Sequence, residues 1–332
     1  MPAFKSWMSF VFLAAVTSIL SGESYGQSAG RDFPTRPITL IVPYAPGNTD
    51  IIARIYLTQI SQNADWAFTY DYKPGAAGTI GAAMAAKAPA DGYTLLMMSS
   101  TLTIGHLQKR KLPYDWKKDF TPVYQMTKTP GILLVNPSLP VKSFAEYMAY
   151  AKANPGKINY GTVGTGGIVH LISAWMHNLM GAEVTFVPYK GYGPISAALV
   201  GGEVQAAHPT YKAFHSYITA GKLRALAITS ANGRIKQLPG VKSIAEEGLP
   251  EFDYSVWMGM FLPSGTPAVV VNRMNVEFAR AAKSPEVIRK FDDLGEGFNL
   301  GPSLPDDFRQ IVNATGDRLT RIVKETGIEL EE

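Results

Sequence analysis

Cysteine is absent from this chain of 332 residues. That excludes disulfide staples, thiolate chemistry and a lipid anchor on an N-terminal cysteine, so stability must come from packing alone. Charge is also scarce. Charged residues make up 17% of the chain and the formal net charge is +4. The tightest basic cluster, Lys109-Arg110-Lys111 with Lys117 and Lys118, is interrupted by Leu112, Pro113, Asp115 and Trp116. A nucleic-acid partner normally demands a basic stripe, and none is written here. The five histidines (His106, His170, His177, His208 and His215) show neither an HExxH motif nor close ligand spacing, so no metal or cofactor is expected. The two GxSxG strings, Gly22–Gly26 and Gly26–Gly30, fall in and just after the N-terminal apolar leader and not between a strand and a helix, so no nucleophile elbow is expected, and there is no GxxxxGK[ST] loop. Gly161-Thr-Val-Gly-Thr-Gly-Gly167 has the wrong spacing for a dinucleotide fingerprint, and no acidic residue follows at the required distance.

Long apolar runs are missing too, apart from Met8 to Leu20 near the N-terminus. That run has roughly 13 residues, short of the ~20 needed to span a bilayer. Lys5 precedes it, and small residues Ser24 and Gly26 follow. This is the pattern of a secretory signal peptide, expected over residues 1–26, leaving a freely diffusing chain in the periplasm.

A length of 332 residues suits two domains. The first series runs strand Thr39–Pro43, helix Ile51–Ile60, strand Ala67–Tyr70, an alanine-rich helix to Lys87, and strand Tyr93–Met98. A second series begins near Gly131, with strands at Ile132–Val135, Ile158–Tyr160, Val184–Val187, Val204–Ala207 and Ala225–Ile228. Strands alternating with helices predict an α/β fold with a mainly parallel sheet in each of two lobes, flanked by helices. Tyr254–Phe261 is a further strand, and the helical tail from Pro267 has no strand series of its own. Assigning that tail to the first lobe gives residues 31–130 plus 254–332 as lobe 1 and 131–253 as lobe 2. The chain then crosses twice, near Thr129-Pro130 and Phe252–Tyr254, which makes a hinge.

Five loops carry the functional information: Ala45–Asp50, Gly75–Gly81, Ser99–Thr103, Gly164–Gly167 and Lys190–Gly193. Each follows a strand, is rich in Gly, Ser or Thr, and precedes a helix. Helix N-termini expose unpaired N–H groups, and open α/β sheets bind ligands beyond the carboxyl ends of their strands. Three loops from one lobe and two from the other suit a small anion held from both sides.

These loops resemble the Bug family, the extracytoplasmic solute receptors of tripartite tricarboxylate transporters. The resemblance is carried by Pro43-Tyr-Ala-Pro-Gly-Asn-Thr-Asp-Ile-Ile-Ala-Arg54, Lys73-Pro-Gly-Ala-Ala-Gly-Thr-Ile-Gly81, Asp91-Gly-Tyr-Thr-Leu-Leu96 and Val187-Pro-Tyr-Lys-Gly191. Pro263-Ser-Gly-Thr-Pro267 extends it, and it covers about Phe33 to Ile328. It implies a Venus-flytrap periplasmic-binding-protein fold, no enzymatic activity, and delivery of a carboxylate by a monomer to two membrane transporter subunits. A membrane sensor kinase is an alternative partner. A periplasmic hydrolase using Ser99 or Ser100 with His106 or His208 is a third reading.

The ligand contacts that the resemblance implies are Tyr44, Pro46, Gly47, Asn48, Thr49 and Asp50, then Ala77, Gly78 and Thr79, then Ser99, Ser100 and Thr101. From the second lobe they are Thr165, Gly166, Gly167, His170, Tyr189 and Lys190, and His208 is added near the mouth. Three departures stand out. The first loop is one residue shorter than the family's Pro-Gly-Gly-x-x-Asp. Gly164-Thr-Gly-Gly167 replaces Gly-Asn-Gly, and Ala207-His-Pro-Thr210 replaces Phe-Asp-Asn. Losing that acidic position removes a partner for a ligand ammonium. The expected ligand therefore has carboxylates and no amine: a di- or tricarboxylate, or an aromatic acid flanked by Tyr44, His208 and Tyr211.

Overall fold

The computed structural model describes residues 33–44, 46, 48–75, 78–107, 112–164, 167–294, 303–328 and 330; for Asn48 and Thr49 it describes the backbone alone. The leader expected over 1–26 lies outside these residues.

β1 (Ile38–Val42) alternates its side chains between two buried layers, as a strand covered on both faces must. Leu40 and Val42 enter one core and Ile41 the other. β1 pairs in parallel with β2 (Phe68–Tyr72) and β3 (Thr94–Ser99). Helix α1 (Asn48–Ala64) connects the first two strands, and α2 (Thr79–Ala86) joins the second to the third. β4 (Phe120–Pro130) closes the sheet at its edge, in the order β2-β1-β3-β10-β4, where β10 is Ser255–Pro263. β10 runs antiparallel to both of its neighbours, so the sheet is mixed. The sequence reading misses β4, because Pro122 and its polar residues break the apolar pattern. An edge strand tolerates both.

The second sheet has the order β7-β6-β8-β5-β9. Its strands are β5 (Ile132–Val135), β6 (Asn159–Val163), β7 (Thr185–Tyr189), β8 (Ala206–Ala207) and β9 (Arg224–Ile228). β6, β7 and β8 are parallel, while β5 is antiparallel to β8 and β9. Four helices accompany it: α3 (Phe144–Ala153), α4 (Ile168–Met180), α5 (Tyr192–Gly201) and α6 (Tyr211–Thr219).

The chain passes between sheets at Gly131 and at Tyr254, and Thr229 stitches the two passages together. Its N–H donates to the Gly131 carbonyl at 2.9 Å, and its carbonyl accepts from the Tyr254 N–H at 2.9 Å. Its hydroxyl accepts from the Gly131 N–H at 2.7 Å and donates to the Tyr254 carbonyl at 2.9 Å.

The tail forms α7 (Ala268–Ala282), α8 (Pro285–Leu294) and α9 (Pro305–Thr326). Phe278 and Phe291 pack on the first sheet. α9 is divided between the two sheets. Its Phe308 and Val312 enter the first sheet's core, but Leu319 and Ile322 join the core of the second beside Leu171 and Trp175. At 22 residues it is long enough, at about 1.5 Å per residue, to reach across both. Arg318 on this helix donates to the Asp253 carbonyl, fastening it to the second passage.

Candidate ligand-binding site

Strand direction locates the cleft. β4 is parallel to β3 and ends at Pro130, so the carboxyl ends of the first sheet's parallel strands face the passages. β5 leaves the first passage and runs against β6 and β8, so their carboxyl ends return to the same place. The Ile132 N–H donating to the Pro209 carbonyl at 2.8 Å fixes that level. The loops of both sheets therefore open toward one another.

On the first side, three hydroxyls cluster at the ends of β1 and β3. Tyr44 donates to Ser99 Oγ at 3.0 Å, Ser99 Oγ lies 2.8 Å from Thr101 Oγ1, and the Ser99 N–H donates to the Tyr44 oxygen at 3.2 Å. All three are half-buried. Ser99 also receives the Thr101 N–H at 3.3 Å as the cap of a 3-10 turn over Ser100–Thr103. This is a preorganised set of uncharged donors, the type of group that replaces the hydration of a carboxylate.

The helix starts are the second component. α2, α4 and α5 begin after Gly78, Gly167 and Gly191, and none of these caps supplies a side-chain hydrogen bond. Their first N–H groups thus have no capping side chain. α3 makes the contrast. Because β5 is reversed, α3 starts at the far end of its sheet, and there Ser143 Oγ caps the Glu146 N–H while the Glu146 carboxylate reaches back to the Lys142 N–H. Gly78 has φ +95°, and Gly81 sits where a Cβ would stand 2.8 Å from Pro43, so α2 approaches the end of β1 more closely than a larger residue permits.

The match to known proteins agrees with this architecture. Residues 52–328 match the model of the tripartite tricarboxylate transporter family receptor. The chain belongs to that receptor family. It is a solute-binding receptor and not an enzyme, and receptors of this family are periplasmic. It is 33% identical to Protein BugT of Bordetella pertussis over 325 residues, covering 97% of this chain and 96% of that one. The structure of R. palustris Rpa4515 with adipate is 33% identical with a TM-score of 0.75, covering 90% of this chain and 100% of that one. MatC from Rhodopseudomonas palustris with bound malate is 29% identical with a TM-score of 0.69, covering 88% and 100%. Among the described residues no helix is long and apolar enough to cross a membrane.

Within the receptor, the residues expected at the ligand divide into groups. Tyr44, Ser99 and Thr101 come together as described, and Thr79 stands at the start of α2, its hydroxyl acting on Tyr114. Gly167 heads α4, with half-buried His170 in the first turn against Phe186. Tyr189 ends β7, followed by exposed Lys190, and Pro46 is exposed. Gly47, Ala77, Thr165 and Gly166, and the side chains of Asn48 and Thr49, lie outside the described residues.

Two side chains are turned inward. Asp50 is buried and accepts from Arg54 Nε at 2.9 Å and the Tyr72 hydroxyl at 2.5 Å, so its carboxylate braces the first turn of α1. Ser100 is fully buried, 3.4 Å from the Tyr254 hydroxyl at the passage. His208 is buried as a floor residue under α4, and Tyr211, also buried, packs beside His215.

The receptor also contains a buried polar chain that sequence reasoning passes over. Tyr147 meets His177 Nε2 at 2.8 Å, His177 Nδ1 donates to the Ser173 carbonyl at 2.7 Å, and Ser173 Oγ lies 3.0 Å from His208 Nδ1. Burial holds both histidines neutral, with pKa lowered to about 4 for His177 and about 3 for His208. Tyr192, the first residue of α5, meets the Phe214 ring edge-on and acts electrostatically on both Tyr160 and Tyr254. Its position in the loop Lys190–Gly193 was the available signal.

Proposed function

We propose that this receptor captures a small organic carboxylate, a di- or tricarboxylate or an aromatic acid such as terephthalate, and passes it to the membrane subunits of a tripartite tricarboxylate transporter. In this reading the leader over residues 1–26 exports the chain, and the ligand sits between the hydroxyls of Tyr44, Ser99 and Thr101 and the starts of α4 and α5. The observation that carries it is the pairing of that hydroxyl cluster with three helices headed by uncapped glycines. Neutral donors and helix N-termini solvate an anion without a buried cation. The adipate and malate in the two R. palustris structures are acids of the same class.

Calorimetric titration of the ligand-stripped receptor with adipate, malate, terephthalate and glutamate tests the proposal, with adipamide as the uncharged control. Binding of at least one of the first three, and none of adipamide, is expected. Adipamide binding as tightly as adipate, or glutamate binding where the other acids do not, sinks it.

A further inference from the structure

His208 follows β8 directly, at the end of the sheet that faces the cleft, and is only 6% exposed. Its Nδ1 lies 3.0 Å from both the Tyr160 hydroxyl and Ser173 Oγ. Ser173 gives its single hydroxyl proton to the Val169 carbonyl at 2.7 Å, and a carbonyl can only accept. Ser173 Oγ therefore meets its other neighbours with lone pairs: it accepts the Tyr160 hydroxyl proton and faces Nδ1, so Nδ1 carries the ring proton. Burial keeps the ring uncharged, which leaves Nε2 without a proton.

Nε2 has no hydrogen-bond partner among the described residues. It is not enclosed either: the buried side-chain nitrogen and oxygen atoms lacking a partner are Ser255 Oγ and Glu277 Oε1. A nitrogen lone pair on an otherwise buried ring thus reaches solvent. The adjacent Cδ2 lies 3.3 Å from the Cβ position of Gly131, at the passage between sheets, and the opposite edge is held under the first turns of α4.

We infer that His208 presents Nε2 to the ligand as a hydrogen-bond acceptor, so that the receptor selects an organic acid bearing a hydroxyl next to a carboxylate over the same acid without it. This rests on the proposed capture of a carboxylate. A carboxylate oxygen placed against Nε2 would set lone pair against lone pair, whereas a hydroxyl satisfies both groups. An ammonium would donate too. The groups packed on this ring are Tyr160, Ser173, Gly131 and, electrostatically, His177, and none carries the negative charge an ammonium needs.

The test uses matched pairs, malate against succinate and 2-hydroxyadipate against adipate, in calorimetric titrations alongside terephthalate. The hydroxylated member of at least one pair should bind about tenfold tighter or better, the effect of leaving a buried acceptor unmet. In the His208→Gln variant, whose amide can turn an N–H to the cleft, the preference should fall below about threefold, with the melting curve checking the fold. Nitrogen NMR of the ligand-free protein should show His208 protonated at Nδ1 and bare at Nε2. A proton on Nε2, equal binding within both pairs, or terephthalate binding without any hydroxy acid overturns this inference alone. Failure of every acid to bind overturns it together with the proposed function.

Discussion

Replacing Thr229 by valine keeps the side-chain shape and removes one hydroxyl from the junction between the sheets. That hydroxyl serves two backbone groups, the Gly131 N–H at 2.7 Å and the Tyr254 carbonyl at 2.9 Å, and Thr229 is 1% exposed. Water has little access to compensate. Each buried group left unmet costs about 1–3 kcal/mol, so the variant should lose about 2–6 kcal/mol. For domains of this size each kcal/mol moves the midpoint by about 2–4 °C, which gives a fall of at least about 4 °C. Thr229→Ser retains both hydrogen bonds and gives up one methyl group, about 1 kcal/mol. Thermal melts followed by circular dichroism on the three proteins provide the comparison. If valine melts within about 2 °C of wild type, or serine falls as far as valine, the hydroxyl does not hold the passages together.

Three other outcomes follow from the site and its surroundings. Tyr44→Phe removes the donor to Ser99 Oγ from a half-buried cluster, so calorimetry should show ligand affinity weakened about tenfold while the melting temperature stays within about 2 °C; unchanged affinity would remove Tyr44 from the site. Asp50→Asn should lower stability by about 1–3 kcal/mol through Arg54 and Tyr72 and change affinity less than about threefold. A tenfold loss with intact stability would mean that the carboxylate meets the ligand. The two buried histidines make stability depend on pH. Their pKa values are depressed to about 4 and about 3 in the folded chain, against about 6.5 unfolded, so below pH 6.5 the unfolded chain binds more protons. Their contribution is complete above pH 6.5 and is lost as pH falls toward 4, at about 1.4 kcal/mol per pH unit for each histidine. Urea midpoints at pH 7.5 and 5.5 should differ accordingly, and equal midpoints would contradict the neutral assignment.

Much of the molecule was written locally. Alternating strands and helices announced two α/β units, and the glycine-rich loops after β2, β6 and β7 marked where helix starts would open. The run Pro43–Arg54 and its companions pointed to the receptor family. These features are legible because a turn, a cap or an apolar period involves neighbours in the chain. Locality also sets the limit. Asp50 reads as part of a binding motif, and the direction of its side chain depends on Arg54 one turn onward and on Tyr72 from the next strand. β4 lacks an apolar period because it lies at an edge and needs only β10 to hold it.

Tertiary structure alone decided the rest. The reversal of β5 and β10 brings both sets of strand ends to one cleft, and no residue within those strands encodes their direction. Thr229 joins two passages about a hundred and about twenty-five positions away in the chain, a relation with no local trace. α9 divides its apolar face between two cores, which its amphipathic period cannot reveal because the period names a buried face and not what covers it. The proton on His208 is likewise fixed by Ser173 and Tyr160, partners that pairing of distant segments supplies.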